Sequence, residues 1–373
     1  MLGTTLPTPL YPLYQQSIGL SSLMVTVVFA VYAAAVVVTL AAVGTASDHV
    51  GRRTLLLPGL AFSAASAVCF VAANDVGLIL LGRVLSGVSA GVFVGTATAA
   101  MVDLAPTGDL ALAALIAVGV NIGGLGLGPL LSGAIAEAGW GDPLRVPYVV
   151  DLVLVVPALA FVWAAPETVR GAGGASAFSY RRLRLPPEAR AAFLPAATAG
   201  FTAFAVSGLF GSVGPGMLGE VLHDTSPLLA GGVVALLFAA SAVAQVMLRV
   251  TPGIATLPIG CGTLIVGVVV LAAAVLVPSL ALLIASALIT GLGQGLVVGA
   301  GLPAVTSRTS PERRGEVASL YFVVCYVVLC LPVIGVGLLT QSVTLTEAAV
   351  VFSCAVVVVT TAALMRIRAV TAA

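Results

Sequence analysis

The chain has 373 residues, of which 60% are hydrophobic and only 8% are charged, and its mean hydropathy is +1.19. Soluble domains carry about 25% charged residues, so this composition excludes an ordinary soluble protein. The net charge of +1 leaves no basic face with which to bind nucleic acid. The five cysteines fall inside apolar runs without metal-ligand spacing, which predicts buried apolar side chains and no metal site.

Eleven apolar runs are each long enough to cross a membrane as a helix, which takes about 20 residues for about 30 Å of hydrocarbon. In chain order they cover residues 23–44, 54–73, 76–101, 110–136, 146–165, 191–214, 227–248, 254–277, 280–303, 317–339 and 346–365. The sequence therefore predicts an all-α polytopic membrane protein.

Arginines fall almost entirely in alternate loops between these runs. Thirteen lie on one side of the predicted membrane: Arg52, Arg53, Arg170, Arg181, Arg182, Arg184, Arg190, Arg249, Arg308, Arg313, Arg314, Arg366 and Arg368. Arg145 lies on the other side, and Arg83 lies within a span. Because cytoplasmic loops are enriched in Arg and Lys, the pattern places the Arg-rich side and the C-terminus in the cytoplasm. The lack of lysine and the bias toward Ala, Val and Gly favour a bacterial inner membrane.

Residues 1–14 are apolar but too short for a full crossing, because at 1.5 Å per residue they reach about 21 Å. Pro7, Pro9 and Pro12 further weaken a continuous helix. No basic region precedes the stretch, so it is not a secretory signal. We interpret it as the outer half of a first helix whose inner half is absent.

The longest polar stretch, residues 167–190, divides the predicted crossings into two sets of six when the partial helix is counted. This division predicts an N-terminal bundle over residues 1–166, a cytoplasmic linker over 167–190, and a C-terminal bundle over 191–373.

The two halves also share a pattern of glycines and prolines. A glycine triplet with four-residue spacing recurs 204 residues along the chain, as Gly87, Gly91 and Gly95 and then as Gly291, Gly295 and Gly299. Two proline pairs, Pro12 with Pro215 and Pro129 with Pro332, are each 203 residues apart. Parallel repeats of this kind are one known transporter design, with the substrate site near the midplane between the halves.

The loop between the first two full spans carries a specific motif. It reads Gly-Thr-Ala-Ser-Asp-His-Val-Gly-Arg-Arg from Gly44 to Arg53. It resembles the loop signature of the major facilitator superfamily, G-x-x-x-D-R-x-G-R-R/K, with His49 in place of the usual Arg. Charge pairs in such a loop can form in one conformation and break in another. We therefore predict a conformational latch formed by Gly44, Asp48, Gly51, Arg52 and Arg53, with an ordinary positively charged loop as the alternative.

Three further segments resemble motifs of the same family. Arg83-Val-Leu-Ser-Gly87 is similar to R-x-x-Q-G of the fourth helix, with Ser86 for Gln. Gly124, Gly128, Pro129 and Gly133 are similar to the antiporter-type motif of the fifth helix, with Ser132 replacing a Gly and Leu115 an earlier Gly. Pro166-Glu167-Thr168 is similar to the common end of the sixth helix. The resemblance covers most of residues 1–170, and it implies two six-helix bundles around a central cavity, with eleven full helices and a partial first one.

Two charged residues lie well inside the predicted spans, away from their first two residues, where a charge is costly and predicts function. Arg83 is about 10 Å deep by helical rise. The resemblance implies that Arg83 has a role near a proton pathway. The guanidinium group could instead bind an anionic group, form a structural ion pair or extend to the outer membrane interface. Asp151 could pair with Arg83, carry the coupled proton, or lie at a wet interface.

Five polar or aromatic residues of the spans are candidates for lining the substrate cavity: Tyr32, Asn121, Gln245, Gln294 and Tyr326. Alternatively, the three amide side chains form hydrogen bonds between helices, and the two tyrosines pack in the core.

The resemblance, and above all the antiporter-type motif, implies a secondary transporter that exports small amphipathic or drug-like compounds in exchange for protons, by alternating access. The expected partners are a small-molecule substrate, protons and the lipid bilayer, with no nucleic acid, and the protein is expected to be a monomer. Neither a P-loop nor a nucleophile–base constellation occurs in the sequence, so we expect no cofactor and no enzymatic activity. A metabolite uptake carrier or uniporter is one alternative. A transport-inactive, truncated membrane scaffold or sensor is another.

Overall fold

The computed structural model describes residues 1–43, 50–104, 110–168, 185–250, 257–307, 309–310 and 313–372. Two short helices, α1 (Leu2–Thr5) and α2 (Tyr11–Ile18), open the chain and are joined by a 3-10 turn. The first half continues with α3 (Ser22–Val43), α4 (Arg52–Val71), α5 (Val76–Asp103), α6 (Leu110–Ala138) and α7 (Val146–Ala164). The second half contains α8 (Arg190–Ser212), the short α9 (Gly214–Leu222), α10 (Pro227–Val250), α11 (Leu257–Leu276), α12 (Leu280–Thr306), α13 (Arg314–Leu339) and α14 (Leu345–Ala372).

Within these described ranges, eleven helices are long and apolar enough to cross a membrane. They coincide with the eleven predicted runs, so the all-α polytopic fold is confirmed. Helices are the expected solution because hydrocarbon offers no partner to backbone N–H and C=O groups, which a helix satisfies internally.

The N-terminal segment folds into the first half as short helices. Pro7 and Pro9 lie at the 3-10 turn, and Pro12 lies in the first turn of α2, where the missing N–H costs no hydrogen bond. α2 ends at Gly19, whose φ of +71° is the left-handed conformation that glycine adopts without strain. The side chains that face inward from this segment are almost fully buried: Leu6, Leu10, Tyr11 and Tyr14.

The glycine repeat is a repeat of helix packing. Gly87 and Gly91 of α5 lie so close to α3 that an added Cβ would meet backbone or side-chain atoms of that helix. Gly291 and Gly295 of α12 lie in the same way against α10. Small residues let helices approach closely, so the same sequence feature builds the equivalent helix pair in each half.

The alternating direction of the helices gives the molecule two distinct ends. The loops at residues 72–75, 139–145, 223–226 and 340–344 lie at one end, which we call the Arg-poor end. The other, the Arg-rich end, carries Arg52, Arg53, Arg190, Arg313 and Arg314.

The two halves contact each other along the part of the molecule near the Arg-poor end. Thr26, in the first turns of α3, packs against Gly337 near the end of α13. One turn further along α3, the carbonyl oxygen of Ala30 lies 3.7 Å from the Cys330 Sγ atom. These contacts close the halves against one another at the Arg-poor end.

A second pair of helices, α6 and α10, closes the same end. The Pro129 carbonyl of α6 faces Gly231 of α10, and the Pro227 carbonyl of α10 faces Gly133 of α6. An added Cβ at either glycine would collide with the opposing backbone. Beyond these contacts, Ser226 Oγ donates a hydrogen bond of 2.9 Å to Glu137 Oε2. We call this set of contacts the α6–α10 closure.

Candidate functional site

Arg83 occupies the centre of a buried polar site in the first half. Its side chain is 1% exposed. Nη1 donates a 2.7 Å hydrogen bond to the Thr4 carbonyl oxygen, and Nη2 donates to the Tyr11 hydroxyl. The guanidinium carbon also lies 5.7 Å from the ring centre of Tyr11 and 5.5 Å from that of Tyr32. In the part of the chain that the structure describes, Nε is buried without a hydrogen-bond partner, so the cation retains one donor for a partner in another conformation.

Asp151 of α7 is the second buried charged residue of this site, at 6% exposure. Its carboxylate lies directly against Gly3, where an added Cβ would come within 2.5 Å of Oδ2. Gly3 thus contacts Asp151, and the next residue, Thr4, contacts Arg83. Within the described residues no ion pair joins Arg83 and Asp151, so their direct pairing, one of the sequence-based options, is not what this conformation contains.

Several tyrosines of the site were not singled out by the sequence patterns. Tyr14 of α2 donates a 3.3 Å hydrogen bond to the hydroxyl of Tyr148 in α7, and the Tyr148 ring stacks on Phe70 with ring centres 4.6 Å apart. Tyr11, three residues before Tyr14, reaches Arg83. Their three-residue spacing on one helical face was a usable signal. The partners they face depend on the tertiary structure.

Tyr32 and Tyr326, two of the predicted cavity residues, lie where the halves meet. They belong to a group of five rings, Phe29 and Tyr32 of α3, Phe204 of α8, and Phe322 and Tyr326 of α13, which we call the interface aromatic cluster. Phe204 contacts Tyr326 edge to face at 5.1 Å and Phe322 at 6.4 Å. Phe29 and Tyr32 lie 6.3 Å apart, and the phenol groups of Tyr32 and Tyr326 interact across the boundary.

Gln245 and Gln294 are buried between α10 and α12, each at 7% exposure. Ser241 Oγ donates to Gln294 Oε1, and Gln245 Nε2 donates a 3.3 Å hydrogen bond to Ser241 Oγ. The structure therefore places both amides in an interhelical hydrogen-bond network, the alternative to cavity lining, because burial would leave their polar groups unsatisfied otherwise.

The antiporter-type motif is divided between two faces of α6. Gly124 and Gly128 lie against the backbone of the N-terminal segment, whereas Pro129 and Gly133 belong to the α6–α10 closure. Asn121 lies one turn nearer the Arg-rich end and is half-buried. The motif thus contacts α1, whose Thr4 carbonyl binds Arg83, and α10 of the second half.

The described part of the predicted latch is anchored by a carboxylate. Glu167 Oε1 accepts a 2.7 Å hydrogen bond from the backbone N–H of Arg52 at the start of α4. Helix N-termini favour carboxylates, because their first N–H groups lack partners and the helix dipole is positive there. Arg52 Nε pairs with Asp103 Oδ2 at 3.1 Å, and Arg53 Nη1 donates to the Ala165 carbonyl at 3.4 Å. Gly51 is required, since its φ is +110° and an added Cβ would meet Glu167.

Gly44 and Asp48, the other two predicted latch residues, lie outside the described residues. The described contacts join the start of α4 to the ends of α5 and α7. The loop motif alone did not reveal Asp103, because the end of α5 reaches this loop only in the folded bundle.

Replacing Glu167 with glutamine is expected to slow transport by about two- to fivefold, because a carboxylate at a helix N-terminus contributes about 0.3–1 kcal/mol and the charge would be lost. Initial transport rates at matched membrane levels measure this. Glu188→Gln, which changes an exposed carboxylate at the same end, is the control. Equal slowing by both variants would contradict a specific role for Glu167.

Comparison with proteins of known sequence finds two bacterial relatives. The chain is 26% identical to the quinolone resistance protein NorA of Staphylococcus aureus over 136 residues, which is 36% of this chain and 35% of NorA. It is 30% identical to the bacillibactin exporter of Bacillus subtilis over 114 residues, 29% of this chain and 27% of the exporter. These matches therefore span about a third of the relatives' length or less.

Solved structures share the fold over nearly the whole chain. A POT family transporter in complex with 5-aminolevulinic acid superimposes with a TM-score of 0.78 at 12% identity, covering 99% of this chain and 93% of that one. The nucleoside transporter NupG gives a TM-score of 0.75 at 13% identity, and the superposition covers 98% of this chain and 96% of NupG. The xylose transporter XylE from E. coli gives a TM-score of 0.71 at 14% identity, and the superposition covers 96% of this chain and 94% of XylE. At these identities the likeness establishes the fold.

The family follows from a match that covers most of the chain. The sequence profile of the Major Facilitator Superfamily matches residues 1–333. That match includes the loop motif, Arg83, the α6 motif and most of the second half, and the helical architecture agrees with it. The chain therefore belongs to the Major Facilitator Superfamily.

Proposed function

We propose that this protein is a proton-coupled exporter of small amphipathic compounds that works by alternating access. The observation that carries the proposal is the pair of buried ionisable side chains, Arg83 and Asp151. They contact adjacent residues of the N-terminal segment without contacting each other. Ionisable groups inside hydrocarbon are costly and are retained for function. An acid that can bind a proton and a cation with a spare donor, held by the adjacent residues Gly3 and Thr4, provide two states of different charge.

The proton acts by changing the relative stability of these two states. When Asp151 is ionised it attracts Arg83, and a shift of residues 3–4 allows the two groups to pair. A proton on Asp151 removes that attraction, so Arg83 returns to Thr4 and Tyr11. A ligand shifts a conformational equilibrium only by interacting differently with its two states, and the proton meets this requirement here.

The direction of transport is supported by the closure at the Arg-poor end. Because Arg-rich ends of membrane proteins face the cytoplasm, this closure corresponds to a state that receives substrate from the cytoplasm. Two relatives carry names that describe resistance and export. We therefore place the protein in a bacterial inner membrane, with a cytoplasmic C-terminus, acting as a monomer.

The test is the accumulation of a fluorescent lipophilic cation in an efflux-deficient bacterium that expresses the chain, with and without a protonophore. We expect lower accumulation than in cells without the protein, and we expect the protonophore to abolish the difference. Equal accumulation in both strains, with the protein shown to be in the membrane, contradicts export of this class of compound.

Asp151→Asn is expected to eliminate protonophore-sensitive export but to preserve exchange of substrate down its own gradient. Asparagine keeps the size of the side chain but cannot bind and release a proton at neutral pH. Export in cells and substrate exchange in vesicles measure the two activities. Asp142→Asn, which changes an exposed acid paired with Arg145 at the Arg-poor end, is the control. Wild-type export by Asp151→Asn would rule out Asp151 as the proton carrier.

A further inference from the structure

Tyr32 contacts both the charged site of the first half and the second half of the molecule. Its ring lies 5.5 Å from the Arg83 guanidinium carbon, and its phenol group interacts with Tyr326 of α13. The side chain is 7% exposed. Gly87, one helical turn after Arg83 in α5, leaves no room for a side chain against the Tyr32 carbonyl. The backbone at Tyr32 is therefore held against α5. The contacts of Tyr32 with Arg83 and Tyr326 can change only by movement of its ring.

The remaining rings of the interface aromatic cluster are suited to a planar aromatic ligand. Phe29, Phe204, Phe322 and Tyr326 are only partly buried, and they come from three helices of both halves. The contacts among Phe204, Phe322 and Tyr326 are edge to face, so these rings do not stack on one another. Aromatic pairs prefer offset-stacked or edge-to-face geometries, so a planar aromatic molecule can contact several of these rings at once.

Arg83 depends on the Tyr32 ring for part of its stabilisation. Within the described residues its charge has no carboxylate partner, and it is held by one carbonyl, one phenol and two ring faces. Cation–π attraction is strongest at desolvated sites such as this one. If the Tyr32 ring leaves Arg83 to contact a ligand, the guanidinium loses this attraction and its interaction with Asp151 becomes relatively more favourable.

We infer that Tyr32 is a positioning residue that links binding of a planar aromatic amphiphile in the interface aromatic cluster to the charge state of the Arg83 site. This inference rests on the proposed function and adds to it the substrate class and the residue that couples substrate to proton. Substrate binding draws the Tyr32 ring away from Arg83, Asp151 releases its proton to water, and the ionised carboxylate then pairs with Arg83.

The experiment uses the full chain in proteoliposomes with an internal pH-sensitive dye, and ethidium as the planar aromatic probe. Tetrabutylammonium, which has the same charge but no ring, is the comparison probe. The measured quantities are the KM for ethidium, the number of protons moved per ethidium, and proton movement without substrate. Tyr32→Leu removes the ring, Tyr32→Phe keeps the ring without the hydroxyl, and Tyr326→Leu removes a cluster ring that does not contact Arg83.

We expect Tyr32→Leu to raise substrate-free proton movement by about threefold or more, because the ring face on Arg83 is lost. Tyr32→Phe keeps this ring face and is expected to retain the wild-type number of protons per ethidium. Tyr326→Leu is expected to raise the KM for ethidium about two- to tenfold, the range of one aromatic contact, with the number of protons unchanged. Tetrabutylammonium is expected to be moved poorly by the wild-type protein.

Three results overturn the inference while the proposed function stands. In the first, Tyr32→Leu moves the wild-type number of protons per ethidium and shows no extra proton movement without substrate. In the second, Tyr32→Phe raises substrate-free proton movement as much as Tyr32→Leu does, and in the third the wild-type protein transports tetrabutylammonium as well as ethidium. A wild-type protein that moves ethidium without protons contradicts the proposed function itself. One that moves neither ethidium nor protons in response to it overturns the assignment of planar aromatic substrates.

Discussion

Replacing Arg83 with alanine is expected to reduce protonophore-sensitive export by about 100-fold or more, with normal amounts of protein in the membrane. The substitution removes hydrogen bonds from a charged group to the Thr4 carbonyl and the Tyr11 hydroxyl. Each such bond contributes about 1.5–3 kcal/mol, and about 1.4 kcal/mol corresponds to a tenfold change in an equilibrium. Without these two hydrogen bonds the N-terminal segment loses its link to α5. Without the guanidinium group, protonation of Asp151 also has no cation whose position it can change.

Arg83→Lys is the informative companion to this variant. Lysine keeps the positive charge but lacks the planar group with several donors that reaches two acceptors and lies over two rings. We expect export between that of the wild type and that of Arg83→Ala, measured as initial rates in cells with matched expression. Thermal unfolding of the purified variants controls for loss of folding. Full activity in Arg83→Ala would reduce Arg83 to a structural role.

The second large effect is expected at the α6–α10 closure. Gly231→Val places a branched side chain where the Pro129 carbonyl lies, so the halves can no longer close at the Arg-poor end. Overpacking costs about 1–3 kcal/mol, which corresponds to a shift of about 5- to 150-fold in the equilibrium between closed and open states. Export is expected to fall about tenfold or more, because the cycle requires both states.

A thiol probe reports this shift directly. Thr26 is fully buried against Gly337 where the halves meet at the same end, so a cysteine introduced at Thr26 in a cysteine-free background is shielded in the closed state. We expect a membrane-impermeant maleimide to label it faster when Gly231→Val is present. Gly232→Val is the matched control, since the neighbouring glycine has open space around it. Equal loss of export and equal labelling in both variants would assign the effect to the helix and contradict a role for the closure.

The fold followed from local features of the sequence. A span is recognised by its length and its apolar composition, so the eleven crossings needed no knowledge of their neighbours. The glycine triplets mark close helix approach in both halves, as Gly87 and Gly291 show. Arg83 and Asp151 were recognisable as candidates because a charge in a hydrophobic run is costly wherever the helix packs.

The partners of these residues were decided only by the tertiary structure. Hydrophobic spans that are apolar on all sides carry little information about which face turns toward which helix, and helix rotation sets every side-chain contact. For this reason the sequence could not show that Arg83 contacts Thr4 and Tyr11 instead of Asp151, or that Gln245 and Gln294 join Ser241 between helices. The sequence by itself determined the spans, the family motifs and the buried charges, because these depend on residues close together in the chain. The packing of helices distant in the chain decided the aromatic contacts of Tyr32 and the division of the α6 motif between two partners.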